Sequence, residues 1–200
     1  MKPGSGRGRT GVGRRFLAAL LGLWLAPAAF GADWGVKELF AMLAKDRPGR
    51  ATFQERKFIA LLDRPVESSG ELAFTPPDTM EKRTLKPRPE RVLVDREHVT
   101  LERAGRRHTL GLRENPAVAV LVDSIRATLA GDLDAVVRAY SVALEGPAAR
   151  WRLTLRPLDP AAAQLVERID ISGAEAQVKT VEIRQADGDR SVMTITPVAR

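Results

Sequence analysis

The chain has no cysteine among its 200 residues, only two histidines, and an aromatic content of 5%. Without thiols there is no disulfide staple, no cysteine-ligated zinc and no thiol nucleophile, so a hydrophobic core must hold the fold unaided. A bilayer-spanning helix is also missing. The apolar run FLAALLGLWLAPAAF, Phe16 to Phe30, is shorter than the ~20 residues such a helix needs and is broken by Pro27. Acidic residues are absent from the first 32 positions, where Lys2, Arg7, Arg9, Arg14 and Arg15 precede that run and small residues follow it. This order of features is that of a secretory signal. Residues 1–32 are therefore read as a signal peptide, with cleavage expected after Ala28 or Gly31, and residues 33–200 as one exported domain.

With the leader set aside, charge of one sign is scarce too. Residues 33–200 carry 27 Lys and Arg against 25 Asp and Glu, a net +2. The high isoelectric point owes much to the leader, and no nucleic-acid partner is expected. Catalytic constellations are equally thin. His98 and His108 lack a third ligand for a metal. Ser68-Ser69-Gly70 has no nucleophile-elbow frame. Asp132 and Asp134 read as helix-capping residues, and no glycine-rich phosphate loop occurs. Catalytic residues, metal and cofactor are all expected to be none. Arg103, Arg106 and Arg107 around Ala104-Gly105 read first as a solvated hairpin tip and second as a docking point for an anionic group.

What the chain has is alternation. A helical period over Trp34–Lys45 gives way to a period of two in a long series of short segments. These are 51–61, 66–74, 79–85, 91–94, 98–103 and 106–112, then 139–145, 150–156, 167–171, 177–185 and 191–197. Turns rich in Pro, Gly and Asp separate them, with Ser172-Gly173 and Asp187-Gly188 read as hairpin turns. Such short connections require antiparallel pairing. Between the two series lies a helical segment, 116–130. Asn115 is its expected N-cap, Pro116 its first residue and Gly131 its stop. Asp132 is expected to cap a second helix to Val137, and Asp159–Ala162 reads as a helical turn.

The expected fold is mainly β (α+β): a curved antiparallel sheet of ten or eleven strands forming an incomplete β-barrel with a helical lid. A sheet this size curls, and its apolar face has few helices to cover it, so a ligand cavity is expected there. Its lining is assigned to Phe53, Leu72, Phe74, Met80, Val92, Val94, Val99, Leu101, Leu153 and Ile169 on strands. The helix 116–130 contributes Val118, Leu121, Val122, Ile125 and Leu129 inward, with Asp123 and Arg126 outward.

The ordered set ATFQERKFIALLDRPVESSGELAF (51–74), PPDTMEKRT (76–84), RVLVDREHVTL (91–101), LAGD (129–132), RWRLTLRP (150–157), RIDISG (168–173) and ADGDRS (186–191) resembles outer-membrane lipoprotein carriers of the LolA type, in a LolA-like branch. The resemblance implies a monomeric periplasmic carrier that shields acyl chains between the membranes. Its partners would be a lipoprotein or other acylated lipid cargo, an inner-membrane transporter as donor and an outer-membrane acceptor. It also implies a basic lid latch just before the proline after the third strand. Here that place reads Thr75-Pro76-Pro77, so a lightly latched lid is expected. Two other classes stay open: an esterase-like enzyme acting on lipid, and an assembly factor that binds a peptide strand at the sheet edge.

Overall fold

The computed structural model describes residues 34–45, 49–75 and 78–198; the expected signal peptide lies outside them, as do Pro76 and Pro77. Helix α1 (Val36–Lys45) is followed by six strands: β1 (Arg50–Phe58), β2 (Val66–Thr75), β3 (Thr79–Lys86), β4 (Glu90–Val94), β5 (His98–Arg103) and β6 (Arg106–Gly111). Helices α2 (Pro116–Ala130) and α3 (Leu133–Ala139) come next, then β7 (Tyr140–Glu145) and β8 (Trp151–Pro157). The short α4 (Pro160–Ala163) precedes β9 (Val166–Ala174), β10 (Gln177–Gln185) and β11 (Arg190–Pro197).

All eleven strands form one antiparallel sheet in the order β6-β5-β4-β3-β2-β1-β11-β10-β9-β8-β7. The barrel is not closed: β6 and β7 are its two edges, and the chain passes from one to the other through α2 and α3. The lid is thus the connection between the edges.

Alternation decides the two faces. On β8, Trp151, Leu153 and Leu155 are buried while Arg152 and Arg156 are exposed. The main core packs these three, with Ile169 and Ile171 of β9, against Leu39, Phe40 and Leu43 of α1 and Val136 of α3. A smaller cluster forms at the other flank, where Val94, Leu112 and Val122 meet Met80, Val92, Val99 and Val118. On the opposite face, Glu81, Arg91, Glu102 and Arg107 pair across β3 to β6. Exposed pairs of this kind add little stability, but they keep an edge of the sheet polar.

Local differences from the sequence reading have local causes. Asn115 does not cap α2; its side-chain amide donates back to the Gly111 carbonyl. Asp132 does cap α3, accepting from the Ala135 amide at 3.0 Å. The turn expected at Ser172-Gly173 falls three residues later, at Glu175-Ala176. β9 runs to Ala174 and Glu175 takes the positive φ of 52°. Gly173 stays in the strand because the Trp151 ring fills the place of a side chain, 2.3 Å from where a Cβ would sit.

Gly131 ends α2 at φ +72°, and a Cβ there would lie 2.6 Å from the Phe40 carbonyl oxygen and from Ala44 of α1. Gly105 has nearly the same φ, +73°, but open space around it. Gly105→Ala should cost only backbone strain, about 1 kcal/mol. Gly131→Ala should add a steric penalty and lower stability by roughly 2–4 kcal/mol. Urea melts of both variants check this; equal losses would contradict a tight contact between α1 and the end of α2.

Candidate functional site

The pairing register sorts the expected lining into rows. Phe74, Met80, Val94 and Val99 stand directly opposite one another across β2 to β5. The next row reads Leu72, Lys82, Val92 and Leu101. Phe53 faces Gly70 on one side and Ile195 on the other. Residues on this face of the two flanks pack against the helices, so this is the covered, inner face. Leu153 and Ile169 share it, but they are already enclosed in the main core under α1, with exposures of 0% and 5%.

Helix α2 straddles the two flanks. Val118 and Val122 reach the small cluster, and Leu121 with Ala127 reaches the main core. Neither cluster includes a residue of β1, β2 or β11. The centre of the inner face therefore lies between two packed flanks. Ile125 differs from its expected burial and is 41% exposed, while Leu129 is half-buried. Two buried hydroxyls on α2 escaped the sequence reading. Ser124 Oγ lies 3.0 Å from the Tyr140 hydroxyl, and Thr128 Oγ1 donates to the Ser124 carbonyl. Burial pushes the Tyr140 phenol up, and the Ser124 contact partly offsets this.

Arg126 is the main correction on the lid. It was expected to point outward with Asp123, yet its side chain is only 12% exposed. Its guanidinium donates to the carbonyl of Asp78 at 3.1 Å, to the carbonyl of Asp95, and to Asp123 Oδ1 at 2.8 Å. Asp95 sits in a tight turn, its carboxylate accepting the Glu97 and His98 amides at 2.8 Å each. Those backbone bonds, that of Glu97 first, hold the Asp95 carboxyl below its usual range, although burial works the other way. The lid is thus tied by its own arginine to the β2–β3 and β4–β5 connections, where sequence suggested an uncharged, light latch.

A second feature missed in sequence lies at the centre of the inner face. Glu55 of β1 accepts from Lys82 Nζ at 2.5 Å, from Ser191 Oγ at 2.7 Å and from Ser68 Oγ at 3.2 Å. Lys82 Nζ also lies 5.0 Å from the centroid of the Phe53 ring, a cation–π distance. Glu55 is in phase with Phe53, and Lys82 with Met80 and Thr84, so both charges point inward. Burial pushes the Glu55 carboxyl up. The Lys82 hydrogen bond and charge, with the two serine hydroxyls, outweigh this and leave it below the ordinary value.

The histidines are apart. His108 stands opposite Leu101 on the inner face, and His98 stands opposite Gly111 on the outer one. No group of three potential metal ligands occurs among the described residues. A cavity of about 530 Å³ opens between the Arg103–Arg107 hairpin and the Arg83–Arg91 region, outside the lid.

A depressed carboxylate stabilises the fold above its unfolded pKa, and that stabilisation is lost as pH falls through the folded value. Wild type should therefore lose more stability than Glu55→Gln as pH is lowered below about 4.5, the unperturbed value. Urea midpoints of the two proteins across that range check this. A gap that stays constant with pH would show that Glu55 is not charged and paired in the fold.

No helix among the described residues is long and apolar enough to cross a membrane. Among solved structures, the chain is similar to a LolA superfamily protein from Nitrosomonas europaea at 9% identity, with 84% of this chain and 94% of that chain covered and a TM-score of 0.45. It is also similar to LprF from Mycobacterium bovis, at 13% identity, covering 82% and 94%, with a TM-score of 0.35. A third likeness is to the MucA/MucB complex of Pseudomonas aeruginosa, at 11% identity, covering 81% and 56%, with a TM-score of 0.40. A comparison with curated proteins gives no match. The family described as outer membrane lipoprotein carrier protein LolA-like matches residues 25–200, almost the whole of the chain described above, and the chain belongs to that family.

Proposed function

We propose that the protein is an exported, periplasmic carrier that holds the acyl chain of a lipoprotein or lipid between α2 and the inner face of the sheet, without catalysis. The observation that carries this reading is the exposure of Ile125. On a helix, Ile125 lies among Val118, Leu121, Val122 and Leu129, at spacings of three, four and seven residues. All of these are buried or half-buried, and three of them pack into the two flanking clusters. Asp123 and Pro116, the wet polar side, lie roughly opposite. Ile125 is therefore the member of this stripe left without an apolar partner, while Phe53 and Phe74 of the sheet are buried, so a chain enters by displacing the lid. An apolar stripe with one uncovered member, set over an apolar sheet face, is a place for an alkyl chain once the lid opens.

Each buried CH₂ contributes about 0.8 kcal/mol, so a chain of ~16 carbons is held out of water by roughly 12 kcal/mol. Spontaneous transfer between membranes is correspondingly slow, and a protein that encloses the chain removes that barrier. Family membership supports an envelope location, a donor at the inner membrane and an acceptor at the outer one. Signal-peptide removal before residue 33 belongs to the same reading.

Ile125→Asp tests the site itself. An exposed isoleucine facing bulk solvent could be replaced at little cost to anything. Beneath the lid, the carboxylate would lie in an apolar space and resist desolvation when a chain enters. The variant should keep its stability within about 1 kcal/mol yet bind a fluorescent fatty-acyl probe at least about tenfold more weakly. Unchanged probe binding would place Ile125, and the cargo space, elsewhere.

Arg126→Gln tests the latch. Losing charge-assisted bonds to two loop carbonyls should destabilise the protein by about 1–3 kcal/mol and speed probe release. Stopped-flow displacement would show the change, and an unaltered release rate would contradict a lid tied at this residue. Ser69→Ala, His98→Ala and His108→Ala should leave probe binding and release unchanged. Loss of cargo delivery in any of them, with binding intact, would favour the esterase-like alternative.

A further inference from the structure

A charged pair on an apolar carrier face calls for an explanation. Glu55 and Lys82 have side-chain exposures of 14% and 29%, and their neighbours in the rows are Phe53, Leu72, Met80 and Val92. Replacing such a pair with apolar residues of similar size is often neutral or stabilising, so stability alone does not account for it. The register is already fixed by the apolar pattern on every strand.

The hydrogen-bond capacity of the two charged groups is unequally used. Both Glu55 oxygens are occupied: Oε2 by Lys82 and Ser68, Oε1 by Ser191. Lys82 carries three N–H donors, and its hydrogen-bond partner among the described residues is Glu55 alone. The ammonium is held in place by that carboxylate and by the Phe53 ring. Gly70 of β2 stands opposite Phe53 and is crowded by the β3 backbone, the place of its Cβ lying 1.9 Å from the Arg83 carbonyl oxygen. Of the two charged groups, Lys82 thus has two N–H donors to spare while Glu55 already accepts three bonds, and the serine oxygens keep only neutral acceptor capacity. Its charge is balanced internally, so a second full charge brought into the cavity would find no counter-ion within it.

We infer that Lys82 is a polar anchor for an uncharged hydrogen-bond acceptor of the cargo, the carbonyl oxygen of an acyl ester or amide. This rests on the carrier reading of the same face. The anchor sets the orientation: the carbonyl sits at Lys82, and the alkyl chain extends from it along the inner face between the two packed flanks. It also sets selectivity, for chains attached through a carbonyl over bare hydrocarbon.

The test compares three pyrene probes of equal chain length on the exported protein: a methyl ester, the free carboxylate and the plain alkyl hydrocarbon. Wild type should bind the ester at least about tenfold more tightly than the hydrocarbon, the effect expected for a hydrogen bond to a charged donor. The double variant Glu55→Leu/Lys82→Met removes the pair whole and leaves no orphan charge, and a urea melt confirms its fold. It should bind ester and hydrocarbon alike, with hydrocarbon affinity within about twofold of wild type. Lys82→Met alone should lose the same preference. If wild type binds ester and hydrocarbon equally, or the double variant keeps the preference, the anchor is overturned while the carrier reading stands. Tighter binding of the carboxylate than of the ester overturns the uncharged-acceptor assignment. Failure of wild type to bind any of the three overturns the carrier reading itself.

Discussion

Everything in this molecule follows from a mismatch between the sheet and what is available to cover it. Eleven strands turn one apolar face inward, and the lid between the two edge strands consists of α2 and α3, fifteen and seven residues long. An apolar face of that width must be covered or filled. α1 and α3 close the flank over β8 and β9, and α2 reaches the opposite flank through Val118 and Val122. No residue of β1, β2 or β11 joins either cluster, although Phe53 and Phe74 are buried, and Ile125 of α2 stays exposed. The ligand space that we propose is a consequence of topology and of helix length.

The same constraint explains the latch. A helix whose apolar contacts lie at two flanks, with Ile125 exposed between them, gains less from packing than a fully committed core helix. Arg126 supplies directional bonds to two loop carbonyls on the sheet side. Such bonds hold position strongly yet break and re-form without exposing a large apolar area. Its neighbour Asp123 keeps the guanidinium paired on the outer side. The buried Ser124, Thr128 and Tyr140 hydroxyls do comparable work on the main-core side, each with a partner within hydrogen-bond distance.

Much of this was legible in the sequence. Strict alternation, Pro- and Gly-marked turns and the Gly131 stop placed nearly every strand and the lid helix within a few residues, because those features are local. The two rows through Phe74 and Leu72 were legible for the same reason: period two fixes which side chains share a face. What escaped reading was long-range. Ser172-Gly173 looked like a turn until the Trp151 ring claimed the space at Gly173. Arg126 looked like a solvated helix residue because its partners are backbone carbonyls some 30 and 50 positions away, at Asp95 and Asp78, which carry no side-chain signature. The Glu55–Lys82 pair did leave a trace. Each charge is in phase with an apolar neighbour two residues away, Phe53 and Met80, with small Ser68 and Gly70 on the strand between. Two inward charges of opposite sign flanking a strand of small residues are a readable signal once the strand order is known.

The central claim is that the space beneath α2 belongs to an acyl chain. Native mass spectrometry of the protein released gently from the envelope of its own host tests it most directly. A carrier yields a population with one bound acylated molecule, which is lost on mild organic extraction and identified as an ester or amide in the extract. Protein that is uniformly free of lipid, and that stays so after incubation with acylated donor vesicles, would contradict it.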